Sequence, residues 1–344
     1  MLDTSRMAKL LVAVLAALTL VAADGSRAGA AKQYRVAFVA EPASGNSGIS
    51  RQHRAGLERA VRDFGVEARI VVQPVRTSWT STHRALARSG YDLVIAGFGQ
   101  LQAGGVVTAA RSSPKTQFAL AEIRAADVNA AGLGRLPPNV ATLSVREEEI
   151  GFVVGYLAGL VERLRPGPDA VGSVGGLRFV LSVERFIAGY QAGAKRASPG
   201  IRLLNGYSND FGDPDACKRV ASAQIAKGAG VVFNVAGGCG LGTLAAVRDA
   251  DIWGIGVDQD QSALGPHVLT SAVKRFDVMV YRMVEQFVRG RLRGGRDTLL
   301  GLHEGVVALG KISPHVPSTL VVRTRRISSE IASGRIRGIP ATMP

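Results

Sequence analysis

The sequence predicts an α/β protein folded as two doubly wound parallel sheets. From Tyr34 onward, short runs rich in Val, Ile, Leu and Ala alternate with longer amphipathic segments. That is the order of strand and crossover helix that gives parallel sheets with right-handed connections. The apolar runs are nearly continuous rather than alternating, as in strands covered on both faces. There are about ten of them, more than one twisted sheet ordinarily holds, so two sheets are expected.

In chain order, the first strands are read at residues 36–40, 68–75, 92–98, 118–123 and 141–145. Apolar residues at three- and four-residue spacing over 55–64 and 80–89 supply helices between them. The divide between sheets falls near Arg146-Glu147. Beyond it, strands are read at 170–174, 201–207, 231–236, 252–257, 269–273 and 305–309, with helices at 150–164, 187–197, 218–227 and 277–288. The run Glu147-Glu148-Glu149 opens the helix at 150 and reads as a solvated acidic first turn that favours the helix dipole.

Residues 10–23 form an apolar run preceded by Arg6 and Lys9 and followed by Ala28-Gly-Ala30. This is the pattern of a secretory signal peptide cleaved after Ala30, and it is shorter than the roughly 20 residues a membrane-spanning helix needs. No cysteine lies near the cleavage site, so no thiol for a lipid anchor is seen there. The remaining chain is expected outside the cytoplasmic membrane, in the periplasm or at the cell-envelope surface. A chain of 344 residues with 47% hydrophobic content, 42 glycines and two cysteines is neither disordered nor a disulfide-stapled mini-protein.

In doubly wound sheets ligands sit outside the carboxyl ends of the strands, which singles out the loops at 41–50, 97–103, 122–127, 175–178, 208–215, 237–242 and 258–262. Catalytic and cofactor signatures are missing from them. There is no Gly-x-x-x-x-Gly-Lys-Ser/Thr, no Gly-x-Gly-x-x-Gly after the first strand and no Gly-x-Ser-x-Gly. The histidines at 53, 83, 267, 303 and 315 lack metal-ligand spacing and read as surface or satisfied residues. No cofactor, metal or catalytic residue is therefore expected. The sharpest local feature is Gly256-Val-Asp-Gln-Asp-Gln-Ser262, which places Asp258 and Asp260 at a carboxyl edge. Carboxylates there can accept hydrogen bonds from paired sugar hydroxyls; the alternative is that they cap the next helix. Cys217 and Cys239 fall on the same side of the second sheet, where an exported protein can pair them or bury them as free thiols.

The run 256–262, followed by Leu269-Thr-Ser-Ala-Val-Lys-Arg-Phe-Asp-Val-Met-Val-Tyr281, resembles the basic membrane protein (BMP) family. These are purine-nucleoside-receptor-like substrate-binding proteins of ABC importers. Four further blocks agree in order: Val145-Arg-Glu-Glu-Glu-Ile-Gly151, Arg185-Phe-Ile-Ala-Gly-Tyr-Gln-Ala-Gly193, Tyr207-Ser-Asn-Asp-Phe-Gly-Asp-Pro214 and Val235-Ala-Gly-Gly-Cys-Gly-Leu-Gly242. The resemblance implies a two-lobed type I periplasmic-binding-protein fold whose lobes are joined by three hinge crossings and close on a ligand. The expected organisation is a leader at 1–30, lobe 1 at 31–145 with about 270–298, lobe 2 at 146–269 with about 299–322, and a basic tail at 323–344.

By that resemblance, Phe211 stacks on a base, Asp258 binds ribose hydroxyls, Lys274 lies near the sugar, and Gly237-Gly238 allows close backbone approach. The first lobe departs from the pattern. Where relatives carry Asp-x-Ser-Phe-Asn-Gln, this chain has Asn46-Ser-Gly-Ile49-Ser50-Arg51, and Glu122 replaces the aspartate that reads the base edge. One aromatic wall thus becomes the aliphatic Ile49, which could cost about tenfold in affinity. Trp79, at a loop–helix junction, is a candidate replacement, the alternative being that it packs elsewhere.

The expected function is a non-enzymatic, monomeric solute-binding protein that hands a nucleoside-like molecule to ABC permease subunits. A ligand sensor for a receptor, or a nucleoside or glycoside hydrolase using Asp258 and Asp260, are the alternatives. The net charge of +15 does not imply nucleic acid. Residues 289–337 hold ten Arg and Lys against three acids, without the interleaved aromatics that stack bases. The excess reads as a surface suited to an anionic envelope or membrane face.

Overall fold

The structure is a computed structural model that describes residues 33–41, 48–73, 77–167 and 169–343. The expected leader at 1–30 and the candidate residue Asn46 lie outside the described residues.

The first lobe is built from β1 (Arg35–Ala40), α1 (Gly48–Phe64), β2 (Glu67–Val72), α2 (Trp79–Arg88), β3 (Leu93–Ala96), α3 (Gly99–Arg111), β4 (Gln117–Ala121) and β5 (Val140–Val145). The second contains α4 (Glu147–Glu162), β6 (Ala170–Gly175), α5 (Leu181–Ala197), β7 (Arg202–Tyr207), α6 (Pro214–Ala226), β8 (Val231–Val235), α7 (Gly240–Asp249), β9 (Trp253–Asp258) and β10 (Val268–Lys274). The chain then returns to the first lobe as α8 (Phe276–Val288) and β11 (Asp297–Leu300), and to the second as β12 (Val307–Leu309) and α9 (Ser318–Ala332). The two six-stranded sheets run β11-β5-β4-β3-β1-β2 and β12-β10-β9-β8-β6-β7. Among the described residues, every strand pairing is parallel except β10 with β12.

Both sheets are covered on two faces. In β1, Val36, Phe38 and Ala40 enter the core under α1 and α8, whereas Ala37 and Val39 enter the core under α2 and α3. In β8, Phe233 and Val232 divide in the same way. That double burial is why the strands read as unbroken apolar runs. Helix α4 is buried almost all round and packs on α5 backbone to backbone. A Cβ added at Gly155 would lie 2.0 Å from the Tyr190 carbonyl oxygen, and one at Gly193 the same distance from that of Phe152. These glycines permit the close approach that fixes the start of α4 beside the crossings.

The three crossings lie between β5 and α4, between β10 and α8, and between β11 and β12. Two of the expected boundaries move. Residues 268–274 pair in register with β9, Val273 opposite Asp258, so the crossing expected near 270 falls at Arg275. The unanticipated edge strand β11 pairs with β5 through Leu300, moving the next crossing past 298. The basic tail expected at 323–344 is corrected outright. Residues to Ala332 continue α9, which buries Leu320, Thr324, Ile327 and Ile331 and turns its arginines outward. Among the described residues, no helix is long and apolar enough to cross a membrane.

Candidate ligand-binding cleft

The carboxyl edges of the two sheets meet at a buried charge cluster. Asp258 ends β9 and Lys274 ends β10, while Glu122 follows β4 and Glu147 opens α4. The Lys274 Nζ lies 2.8 Å from Glu147 Oε1 and also pairs with Glu122 Oε1, joining lobe 1 to the hinge. The Lys274 side chain is 2% exposed and that of Glu147 is wholly buried. Burial alone would lower the Lys274 pKa, but the carboxylates of Glu122, Glu147 and Asp258 outweigh it and hold the ammonium above its ordinary range. Burial pushes the Asp258 carboxyl up to about 6, opposed by Lys274 and reinforced by Glu122 and Glu147. Among the described residues, the Asp258 carboxylate takes no hydrogen bond from the protein. Glu122 and Asp258 both adopt left-handed backbone, at φ 64° and 63°. Such conformations cost about 1–3 kcal/mol and gather at binding and catalytic sites.

Phe211 stands on a shelf of small residues. A Cβ at Gly176 would sit 2.3 Å from its ring, and one at Gly237, at φ 55°, would lie 3.6 Å from the same edge. Asp210 Oδ1 accepts from the backbone N–H groups of Gly212 and Asp213, turning the loop, and Cys239 N donates to the Phe211 carbonyl at 2.8 Å. Gly238 lies against the same carbonyl. Cys217 and Cys239 form a disulfide with Cα atoms 5.6 Å apart, tying α6 to this loop.

From lobe 1, Ile49 and Ser50 occupy the first turn of α1, half-buried, with Ile49 against the core. Gly48 beside them is packed by the Gln259 side chain of lobe 2. A cavity of about 380 Å³ opens here, lined by Gly48, Gln52, Gln259, Asp260 and Asp277 among others. Asp260 is exposed, and its carboxylate accepts from Ser262 N at 3.1 Å and Lys311 N at 3.3 Å, so it organises its loop. Trp79 packs against Gly105 of α3. A larger cavity of about 900 Å³ lies between Val161, Trp253, His267 and Val316, at the amino-terminal ends of the lobe 2 strands. That is the opposite pole from the loops where doubly wound sheets hold ligands.

Further contacts bridge the lobes. Arg124 donates to Glu148 at 3.1 and 3.2 Å, and Arg185 pairs with Asp127. Gln100 donates to the Phe179 carbonyl at 2.7 Å and accepts from Leu181 N at 3.2 Å. Glu147 and Glu148 are thus buried partners of Lys274 and Arg124, which corrects their reading as a solvated turn. The available signal was the helix behind them: residues 150–161 are almost all apolar, and a helix apolar all round buries its first turn too. The reading of His53 also changes. It is buried between Phe38 and Phe276, with ring centroids at 4.6 and 5.2 Å, and its Nε2 has no partner. Burial, with Lys274 nearby, lowers its pKa to about 4, so it is neutral.

Residues 33–341 match the model of the Bmp family, described as ABC transporter substrate-binding protein PnrA-like. Among curated proteins, basic membrane protein D of Borreliella burgdorferi is 36% identical over 179 residues, 51% of each chain. The match therefore spans about half of that relative's length. Basic membrane protein B of the same species is 27% identical over 81% of each chain, and the CD4+ T-cell-stimulating antigen of Listeria monocytogenes is 28% identical over 73% of this chain and 71% of its own. A solved ABC transporter solute-binding protein from Aeropyrum pernix K1 superposes with a TM-score of 0.72 at 23% identity, covering 89% of this chain and 94% of that one. The two-lobed fold, the ordered blocks and the family match together place the chain in the Bmp family of PnrA-like ABC transporter substrate-binding proteins.

Proposed function

We propose that this protein is the extracytoplasmic solute-binding component of an ABC importer and carries a nucleoside or similar sugar-bearing heteroaromatic molecule in the cleft between its lobes. The observation that supports this most is Asp258. It is a carboxylate at a strand's carboxyl edge, held in left-handed backbone, close to Lys274 and hydrogen-bonded to nothing else in the described protein. Such a group is available to accept from a pair of vicinal hydroxyls.

In this reading Phe211 is the stacking face for the base and Gly237-Gly238 lets the ligand approach the backbone. Ile49 forms the opposing aliphatic wall, Ser50 adds a polar contact beside it, and Asn46, three residues before Ile49 in the sequence, completes the set. Lys274 sits by the sugar, and Glu122, anchored on Lys274, faces the base edge. The protein acts as a monomer and delivers its ligand to permease subunits; its export relies on the 1–30 leader. The hydrolase alternative is disfavoured because the Asp260 carboxylate it invokes is taken up by two backbone N–H groups of its own and a neighbouring loop.

The test is to denature the purified protein and identify released small molecules by mass spectrometry, then to titrate the stripped protein with a panel of nucleosides, free bases and pentoses. A nucleoside recovered unchanged, with tighter binding than either fragment, is expected. Release of free base on incubation, or binding of none of the panel, contradicts the proposal.

A further inference from the structure

We propose that the pole of lobe 1 remote from the cleft is an electrostatic docking surface for anionic phospholipid headgroups. In a parallel α/β lobe the helix carboxyl ends and strand amino ends share one pole. Here they are tied together by hydrogen bonds. Arg35 Nη1 donates to the Ser89 carbonyl at 2.5 Å, Asn139 Nδ2 donates to the carbonyls of Ala110, Ser113 and Thr116, and Gly295 N donates to Val140 O. Onto this pole the sequence places Arg62, Arg88 and Arg111, each in the last turn of its helix. The turn into β11 adds Arg291, Arg293 and Arg296.

All six are exposed, and among the described residues none has a carboxylate within ion-pair distance. The pole's acids are engaged instead: Glu67 with Arg35, Asp63 with Arg59, Glu285 with Arg282 and Arg289, and Asp297 with Thr142 and the N–H of Ala125. A basic residue at a helix end answers the helix dipole, and Arg291 lies in the capping turn of α8, but Arg293 and Arg296 stand beyond it and terminate no helix. Among the described residues the pole exposes no aromatic side chain, which disfavours base stacking and aromatic insertion and leaves charge as the attraction.

The choice of lipid rests on where the chain enters. β1 begins at this pole, and residues 24–33 link it to the apolar run at 10–23. The described chain thus enters at the pole that carries these arginines, and their charge is complementary to anionic headgroups. After cleavage at Ala30 the arginines would hold the protein there reversibly, because the attraction is confined to about a Debye length of the surface.

The experiment uses the chain from Ala31 onward, which contains the whole described fold, in vesicle co-sedimentation. Vesicles of phosphatidylcholine are compared with vesicles containing about 30% phosphatidylglycerol, and salt is raised from about 0.05 to about 0.5 M. Binding only to anionic vesicles, lost at high salt, is expected. Arg291→Glu/Arg293→Glu/Arg296→Glu should weaken it at least ~10-fold, whereas Arg323→Glu/Arg325→Glu/Arg326→Glu, the same charge change on α9, should leave most of it. The neutral set Arg291→Gln/Arg293→Gln/Arg296→Gln, checked by circular dichroism, separates lost charge from lost fold. Equal losses from both charge-reversal sets, binding to neutral vesicles, or retention on soluble polyphosphate without vesicle binding would overturn the proposal.

Discussion

Removing the Lys274 ammonium would leave Glu122, Glu147 and Asp258 facing one another with little water between them. Breaking a buried ion cluster from one side costs on the order of 3–5 kcal/mol. Lys274→Met should therefore lower the melting temperature by roughly 5–15 °C at neutral pH, with part of the loss recovered on acidification or by adding Glu147→Gln. Scanning calorimetry at two pH values checks this. Asp258 gives a second prediction. Its folded pKa of about 6 exceeds the ordinary 3.8, so the folded state holds the proton more tightly than the unfolded chain does. Ligand-free stability should fall as pH rises from about 4 to 6 on this group's account and then level off. Asp258→Asn, which tolerates left-handed backbone, should stabilise the empty protein at pH 7 by up to about 3 kcal/mol while weakening ligand binding; denaturant melts read the first and titration the second. The position of Asp258 at a strand's carboxyl edge was legible from the apolar run before it, whereas Phe211 and Lys274 were singled out only by the family resemblance. The partners of Lys274 were not: an acidic triplet before a helix looks the same in sequence whether its first turn is wet or buried, and only the packing of α4 on α5 decides.

The disulfide links α6 to the loop that carries Gly237 and Gly238 and hydrogen-bonds the Phe211 carbonyl. Closing a loop of 22 residues constrains the unfolded chain by about 3 kcal/mol. Cys217→Ser/Cys239→Ser should lower the melting temperature without changing the secondary structure seen by circular dichroism. It should also weaken ligand binding through a looser Phe211 shelf, so affinity and melting temperature measured on the same sample test both parts. Elements buried on both faces were plain in the sequence, and those with mixed surroundings were not. Helices α3 and α7 are glycine-bearing and weakly amphipathic, including Gly99, Gly104 and Gly105 in one and Gly240 and Gly242 in the other, and glycine weakens the helical signal. Strand β11 is a four-residue edge following an arginine-rich turn, so its pairing with β5 could not be read locally. The arginines of α9 masked a buried face repeating through Leu320, Thr324, Ile327 and Ile331.

Three crossings hold two lobes whose facing edges are already in contact through Gln100, Arg124, Asp127 and Arg185. These side chains act on the relation between lobes rather than on a ligand. Gln100→Ala combined with Arg185→Ala should enlarge the radius of gyration of the empty protein in small-angle scattering and reduce affinity mainly through faster dissociation; an unchanged radius would show that these contacts do not hold the cleft closed. The two-sheet plan followed from the alternation of runs, whereas the crossings at Arg275 and beyond Leu300 needed the strand pairings. The most direct measurement of the central claim is a calorimetric titration of the stripped protein with the recovered nucleoside, across pH 5 to about 8, beside Phe211→Ala and Asp258→Asn. Binding without turnover that weakens as pH falls below about 6, and that falls at least ~10-fold in each variant, is predicted; affinities within about twofold of the parent in both variants, or no dependence on pH, would contradict it.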